Sequence, residues 1–437
     1  MASAQPIPVS NGTANRLMAE DQPVHGWYRF VLSFPPHLVR HYLDRFVVGR
    51  DCTVLDPFCG TGTVLVECKK LGVPSVGMEA HPMAHFASWV KTDWAVEADE
   101  LRADARAVAR AVEEELAAAG IEDWFAQPQA AKYHDELRQL PEEEEKLLLK
   151  GSISPLPLHK SLVLRDRIRA NADERLRGHE LLALAHALCG SIGNLHFGPE
   201  VGVTKPKADA PVIAPWLGQV EDMCRDLGQV EAAAAVPSKV HLGDSRSGLG
   251  VLEPGSVGAV FTSPPYPNEK DYTRIIRLES VLLGFVRNRA ELRAMKKHLV
   301  RSNTRTVYKD DDDDACVEDN REVSRVAEEI ERRRVDLGKT SGFERQYAKV
   351  TKLYFGGMKR HLAGLRPYLA PGASLGYVVG DQASFFRVLI RTGEILAGIA
   401  RGLGYEVIDL DLFRTRLATA TKAQLREEVL VLRWPGG

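Results

Sequence analysis

The sequence predicts an α/β protein whose strand–helix units are interrupted by a long helical insertion. Two observations carry this. A short apolar run, a glycine-rich turn, an amphipathic helix and a second apolar run follow one another between Thr53 and Met78, which is the order of a βαβ unit. Then, from about Val96 to Pro237, the composition shifts toward Ala, Glu, Arg and Leu, before strand-like runs resume.

Taken in order, residues 1–24 read as a loose N-terminal arm, with Pro, Asn, Gly and Ser and no periodicity. From Pro36 to Phe46, Val39, Tyr42, Leu43 and Phe46 recur at helical spacing. Thr53-Val54-Leu55 is a short strand. The helix after the glycine turn is expected to bury Val64, Cys68 and Leu71 on one face and to close at Gly72. Ser75–Met78 is the next strand. Residues 96–236 form the mostly helical insertion, richest in helix formers at Glu97–Ala119 and Asp173–Leu188. Val240–Leu242 and Val257–Phe261 are strands. Residues 288–349 form a polar and basic segment; inside it Asp310–Asp314, a run of like charges, is expected to be solvated and mobile. Leu375–Val379, Tyr405–Leu410 and Val429–Leu432 close the chain as strands, the last two pairing near a sheet edge. The catalytic unit is thus assembled from 25–95, 237–287 and 350–437.

Composition bounds the answer. The 437 residues are 44% hydrophobic and 27% charged, ordinary for a globular chain with a sizeable core, in one large domain with insertions or two to three units. No window approaches the ~20 uninterrupted apolar residues of a bilayer span, and the start lacks a basic region followed by an apolar run, so a cytoplasmic protein without membrane association is expected. Six cysteines, at 52, 59, 68, 189, 224 and 316, form no C-x-x-C pair; free thiols and no zinc site are expected. The net charge of −2 means that any nucleic-acid contact must come from local basic clusters.

Asp56-Pro57-Phe58-Cys59-Gly60-Thr61-Gly62-Thr63 lies between the first strand and its helix. Two glycines two apart allow a tight turn and close approach of a ligand to the backbone. The helix N-terminus behind them presents free N–H groups and a partial positive charge. A phosphate loop would need Gly-Lys-Ser/Thr, and no Lys follows Gly62; a dinucleotide fingerprint would need glycine at Leu65. Glu79, ending the second strand, is placed to accept from ribose hydroxyls. The ligand reads as a nucleoside without a pyrophosphate.

Ser263-Pro264-Pro265-Tyr266 follows an apolar strand, hence at a strand's carboxyl end, where open α/β sheets hold ligands. The prolines stiffen the loop and free nearby carbonyls to act as acceptors. An exocyclic base amine is a poor nucleophile, because its lone pair is delocalised into the ring. Acceptors around it stabilise the positive charge that grows as it attacks a sulfonium methyl. Ser263 Oγ and the Pro264 carbonyl are the candidates. Tyr266 offers a stacking face to a base drawn out of a duplex.

Together these motifs resemble those of the amino-group DNA methyltransferases, which act on cytosine N4 or adenine N6. Asp56–Thr63 is similar to that family's cofactor motif and Ser263–Tyr266 to its catalytic motif. Phe34-Pro35-Pro36-His37-Leu38 resembles the segment before the cofactor loop, and Gly243-Asp244-Ser245 the acidic turn before the catalytic strand. The resemblance covers about half the chain. It implies a Rossmann-like class I methyltransferase fold: a seven-stranded, mostly parallel sheet with one antiparallel strand near the end. It implies S-adenosylmethionine as cofactor, with Phe58 and the backbone of Cys59, Gly60 and Thr61 lining its pocket, Glu79 on the ribose and Asp244 on the adenine. Ser at the head of the tetrapeptide resembles the cytosine-N4 group more than the adenine-N6 group, where Asp or Asn is usual. Carbon-5 methylation is set aside, since no Cys directly follows a Pro. The 164 residues between Glu79 and Asp244 are long for simple family members.

DNA is the expected partner. Asp271 and Tyr272 follow the tetrapeptide closely enough to help form the base pocket, and Arg274 is a phosphate candidate. Arg287–Lys309 carries eight basic residues against one acid, Glu291, and Arg301 and Arg305 are its DNA-contact candidates. The acidic run that follows is expected to point away from phosphate. It lacks the Gly and Glu of a calcium loop, and the histidines lack H-E-x-x-H spacing, so no metal is expected. Either insertion is a candidate for target recognition, and a restriction nuclease acting on the same sequence is a candidate partner. Adenine-N6 transfer, RNA-base transfer and a non-catalytic cofactor-binding regulator remain open beside cytosine-N4 transfer.

Overall fold

The computed structural model describes residues 17–28, 33–124, 137–197, 200–417 and 424–436. Helix α1 (Pro36–Arg45) opens on a proline, whose fixed φ suits a first helical turn, and buries Leu38, Val39, Tyr42 and Leu43. Strand β1 (Thr53–Asp56), helix α2 (Thr63–Lys70) and strand β2 (Ser75–Glu79) form the expected unit. Leu71, expected on the buried face of α2, is 44% exposed, because the helix stops at Lys70 and Gly72 turns the chain at φ +73°.

Helix α3 (Pro82–Thr92) comes next, and the insertion then follows as α4 (Ala98–Ala118), α5 (Pro155–Arg169), α6 (Glu174–Ala187), a two-stranded hairpin of β3 (Leu195–Phe197) and β4 (Val201–Val203), and α7 (Ile213–Val230). The chain returns through β5 (Ser238–Leu242) and β6 (Val257–Thr262). Helices α8 (Arg289–Lys297), α9 (Arg321–Asp336) and α10 (Tyr347–Leu365) come next, then β7 (Leu369–Gly380), α11 (Thr392–Gly402), β8 (Glu406–Leu417) and β9 (Gln424–Arg433).

Seven strands make one sheet in the order β5-β2-β1-β6-β7-β9-β8. All neighbours are parallel except at β9, which runs antiparallel to both β7 and β8. This is the α/β fold that the sequence predicts and the mostly parallel seven-stranded sheet that the resemblance implies. Alternating side chains divide between two cores, as the period of two in a strand requires. Val54, Ala259, Phe261, Val378, Val429 and Val431 face α1 and α2. Leu55, Val260, Leu375, Tyr377, Leu430 and Leu432 face α9, α10 and α11. The insertion has its own apolar core, shared with α3 and with the segment from Val24 to Tyr28.

Residues 1–16 of the expected arm lie outside the described residues. The rest of that stretch is not loose: Asp21 and Val24 are 2% and 0% exposed, and the Val24 N–H and Trp27 indole both donate to Asp226 Oδ2 on α7 at 2.8 Å.

The segment 288–349 also corrects an expectation. The acidic run does not stand off in solvent. It folds back onto the basic residues before it. Asp310 pairs with Lys297, Asp311 with Arg301, and Asp313, 3% exposed, with Arg246 and Arg360. Arg293, Lys297 and Arg301 gather around the ring of Tyr308 at 5.1–5.9 Å. Gly356 on α10 permits the packing, since a Cβ there would come within 1.8 Å of the Asp313 carbonyl oxygen. Helix α9 was not expected. Its buried Val323, Val326 and Ile330, at spacings of three and four, were the available signal.

Candidate active site

The chain places β2 and β5 on one side of β1, then crosses to place β6 and β7 on the other. Crossovers diverge there, so a crevice opens above the carboxyl ends of β1 and β6, the position at which open α/β sheets bind ligands. The glycine loop leaves β1 and the Ser-Pro-Pro-Tyr loop leaves β6. Gly60 and Pro264 border the same cavity, of about 570 Å³.

In the glycine loop, the Cys59 N–H donates to the Met78 carbonyl at 3.0 Å and ties the turn to β2. Gly60 has φ +51°, and nothing lies within 4 Å of where a Cβ would stand. Its N–H donates to Glu79 Oε2 at 2.9 Å, while the His81 N–H donates to Oε1 at 2.7 Å. Burial pushes the Glu79 carboxyl up from its ordinary range, against these two donors. Gly62, at φ +83°, plays a different part. It abuts α3, where a Cβ would meet Ser88 Oγ at 2.6 Å, and it does not border the cavity. Phe58, Cys59, Thr61, Thr63 and Glu79 do border it. The Thr61 hydroxyl is buried without a partner, as is that of Ser245 across the cavity. Such hydroxyls suit a polar ligand.

Two further expected cofactor residues, besides Gly62, lie elsewhere. Asp56, 1% exposed, does not reach the cavity; its Oδ1 accepts from Thr262 Oγ at 2.6 Å and from the Phe58 N–H at 3.2 Å, and burial pushes its carboxyl up to about 7. Asp244 is turned to Arg246, whose guanidinium donates to both carboxylate oxygens at 2.6–3.1 Å and is itself held by Asp313. The cavity wall at this turn is Gly243 and Ser245.

All four residues of the tetrapeptide border the cavity. Ser263 Oγ donates to the Val378 carbonyl at 3.2 Å, which leaves its own lone pairs to accept. The Tyr266 N–H donates to Tyr272 Oη at 3.3 Å. The Tyr266 ring lies close on β7, within 3.0 Å of where a Cβ on Gly380 would stand. Burial, with Glu427 nearby, raises its phenol, so the ring is neutral.

Asp271 and Tyr272 border the cavity, but Asp271 is committed. It caps the turn Tyr272–Ile275 through the Thr273 N–H and pairs with Lys296 at 2.8 Å. Arg274, Arg305 and Lys270 meet Glu200, from the β3–β4 hairpin, in a small adjoining cleft. Arg301 is the clear correction. It is 3% exposed, pairs with Asp311 at 2.7 Å and donates to the Lys296, Lys297 and Leu299 carbonyls, so it closes the end of α8.

Sequence reasoning missed several groups at the cavity. His81 caps α3 by accepting from the Met83 N–H at 3.2 Å; burial, then Arg277, holds its imidazole down at about 3, so it is neutral. Gln382 arrives just after β7 and the pair Arg416–Glu427 on β8 and β9, and no local motif marks them. Among the described residues, no group of three or more His, Cys, Asp or Glu could hold a metal ion, and no helix is long and apolar enough to cross a membrane.

Residues 14–87 match the family model described as DNA methylase. The chain is 27% identical over 285 residues to the type II methyltransferase M.BsoBI of Geobacillus stearothermophilus, covering 61% of this chain and 53% of that protein. It is 39% identical over 69 residues to the type II methyltransferase M.MjaII of Methanocaldococcus jannaschii, covering 16% and 13%. The match to the first thus spans about half that relative's length. The motif-bearing loops at one sheet edge, the sheet order and these matches agree, and together they support the amino-methyltransferase family for this chain.

Proposed function

We propose that this protein transfers a methyl group from S-adenosylmethionine to the exocyclic N4 amine of a cytosine swung out of duplex DNA. The observation that carries the reading is that the glycine loop and the Ser-Pro-Pro-Tyr loop border one cavity at the carboxyl ends of adjacent strands. DNA as the substrate class is supported by the family match and by the two type II relatives. Cytosine rests on Ser263 at the head of the tetrapeptide.

The cavity suits this cofactor. The space above Gly60, the Glu79 carboxyl, and the unpartnered hydroxyls of Thr61 and Ser245 form a half-polar wall that would hold a nucleoside with a charged amino-acid arm. When bound, the cofactor supplies an electrophilic methyl. The chain's own residues do the rest. The Pro264 carbonyl and Ser263 Oγ accept hydrogen bonds from the target amine and stabilise the positive charge that grows on it. Tyr266 and Tyr272 give the displaced base an aromatic enclosure, which offsets part of the few kcal/mol lost on unstacking.

Arg274, Arg305 and Lys270 are the proposed phosphate contacts at the mouth. The helical insertion is the proposed target-recognition unit, because its hairpin brings Glu200 to this rim. A restriction nuclease acting on the same sequence is the proposed partner in the cell. The test is to incubate the protein with S-adenosylmethionine and unmethylated genomic DNA, digest to nucleosides and identify the product by mass spectrometry. N4-methyl-2′-deoxycytidine is the expected product. N6-methyl-2′-deoxyadenosine would move the assignment to adenine, and transfer to RNA alone in a parallel incubation with RNA would exclude DNA.

A further inference from the structure

Between β1 and β6 the backbone ladder runs as far as Leu55 opposite Val260 and then ends. The next residues part company: Asp56 continues along β2, opposite Gly77, and Thr262 along β7, opposite Tyr377. The crevice opens here. The first tie across it is between side chains. Thr262 Oγ donates to Asp56 Oδ1 at 2.6 Å, and the same oxygen takes the Phe58 N–H at 3.2 Å. Asp56 and Thr262 are 1% and 0% exposed, and neither borders the cavity. The residues directly after each do: Pro57 and Phe58 on one side, Ser263 and Pro264 on the other.

We propose that the Asp56–Thr262 pair is a positioning device that sets the spacing between the cofactor loop and the acceptor loop. The idea rests on the methyl-transfer reading above for its kinetic consequence, but not for the coupling itself. One buried oxygen holds a bond from the cofactor loop, through the Phe58 N–H, and one from Thr262, the last residue of β6 directly before the acceptor loop, so the two loops are referred to one point. A transfer between two ligands, one on each loop, depends on that spacing. Binding of either ligand alone does not. Misplacing reacting atoms by about 1 Å can cost on the order of 100-fold in rate. Burial also strengthens a tie to a carboxylate, since no water competes for the oxygen.

Thr262→Val removes the hydroxyl at nearly constant volume, and Thr262→Ser keeps it. The valine variant should turn over about tenfold more slowly at saturating cofactor, a partial loss of alignment. Its affinity for S-adenosylhomocysteine, measured by calorimetry, should stay within about twofold of the parent, since the cavity wall is unchanged. Serine should restore the rate. In hydrogen exchange, the segments 57–62 and 263–272 should loosen together in the valine variant and not in the serine variant. Thr262→Ala is the second variant should valine not fold. Unchanged turnover in the valine variant, affinity and turnover falling in proportion, or one segment loosening without the other would each overturn the pair's role. Absence of methyl transfer by the parent to any nucleic acid would refute the catalytic reading instead. The joint exchange behaviour of the two segments would then still decide the tie.

Discussion

Gly60 and Gly62 stand two residues apart in one loop, yet substitution should harm them in opposite ways. Gly62 has φ +83° and ψ +28°. Holding alanine in a left-handed conformation costs about 1–2 kcal/mol. Its Cβ would also stand 2.6 Å from Ser88 Oγ and 3.3 Å from Ser88 Cα. Relief requires Ser88 to leave its rotamer, at roughly 0.5–1.5 kcal/mol. Gly62→Ala should therefore lose about 2–3 kcal/mol of stability. Gly60 has φ +51° with nothing within 4 Å, so Gly60→Ala meets only the conformational term, about 1 kcal/mol. Its methyl, however, would enter the cavity beside the N–H held by Glu79. Affinity for S-adenosylhomocysteine should fall about tenfold or more, the equivalent of losing 1.4 kcal/mol. Urea denaturation and calorimetry measure the two effects separately. Ser88→Ala should recover about 1 kcal/mol in the Gly62→Ala background, because it removes the atom that is struck. A larger stability loss at Gly60 than at Gly62, or parental affinity in Gly60→Ala, would show that the two glycines have been assigned the wrong parts.

Three further outcomes are expected. Ser263→Ala and Tyr266→Ala should each lower turnover while leaving S-adenosylhomocysteine affinity near the parental value; full activity in both would remove the acceptor and stacking roles from these side chains. Arg301→Ala should lose about 3–5 kcal/mol of stability, because it strands the buried Asp311 carboxylate. Arg305→Ala, at an exposed position, should instead weaken duplex binding and lower the salt slope by about one; equal salt slopes in the two variants would contradict this division. His361 supplies a pH dependence. Its Nδ1–H donates to the Ser245 carbonyl at 3.0 Å and its Nε2 accepts from Tyr377 at 2.9 Å, a pattern only the neutral ring can satisfy. Burial holds it down at about 4 against an ordinary 6.5, so its contribution is complete above pH 6.5 and is lost as the pH falls toward 4. The loss should approach about 3 kcal/mol, and His361→Gln should flatten that part of the stability curve. A curve of unchanged slope in the variant would assign the acid sensitivity elsewhere.

Much of the sheet could be read in advance because each strand is a short apolar run beside a turn signal. Val257–Phe261 and Ser75–Met78 lie where expected, and the two final strands pair at the edge. The reading failed where charge, not hydrophobicity, organises the chain. Asp310–Asp314 looked like a solvated run because its partners Lys297, Arg301, Arg246 and Arg360 are scattered over more than a hundred positions. Arg301 looked like a phosphate contact although its partner Asp311 stands only ten residues further on. Local composition counts a cation without revealing that a buried acid already neutralises it.

At the site, the chemistry was local and the geometry was not. The glycines of the cofactor loop and the prolines of the acceptor loop restrict their own backbones, so the sequence alone determined two stiff loops, each at the end of a strand. It also determined which residue types they present. That the two loops share one cavity follows from the strand order, which sets β1 beside β6 although two hundred residues separate them. The same tertiary packing turned Asp56 toward Thr262 and brought Asp313 onto Arg246, the local partner of Asp244, leaving Ser245 and the Gly60 backbone at the cavity wall. A carboxylate's role is set by whichever donor reaches it once water is excluded, and that donor is chosen by the fold.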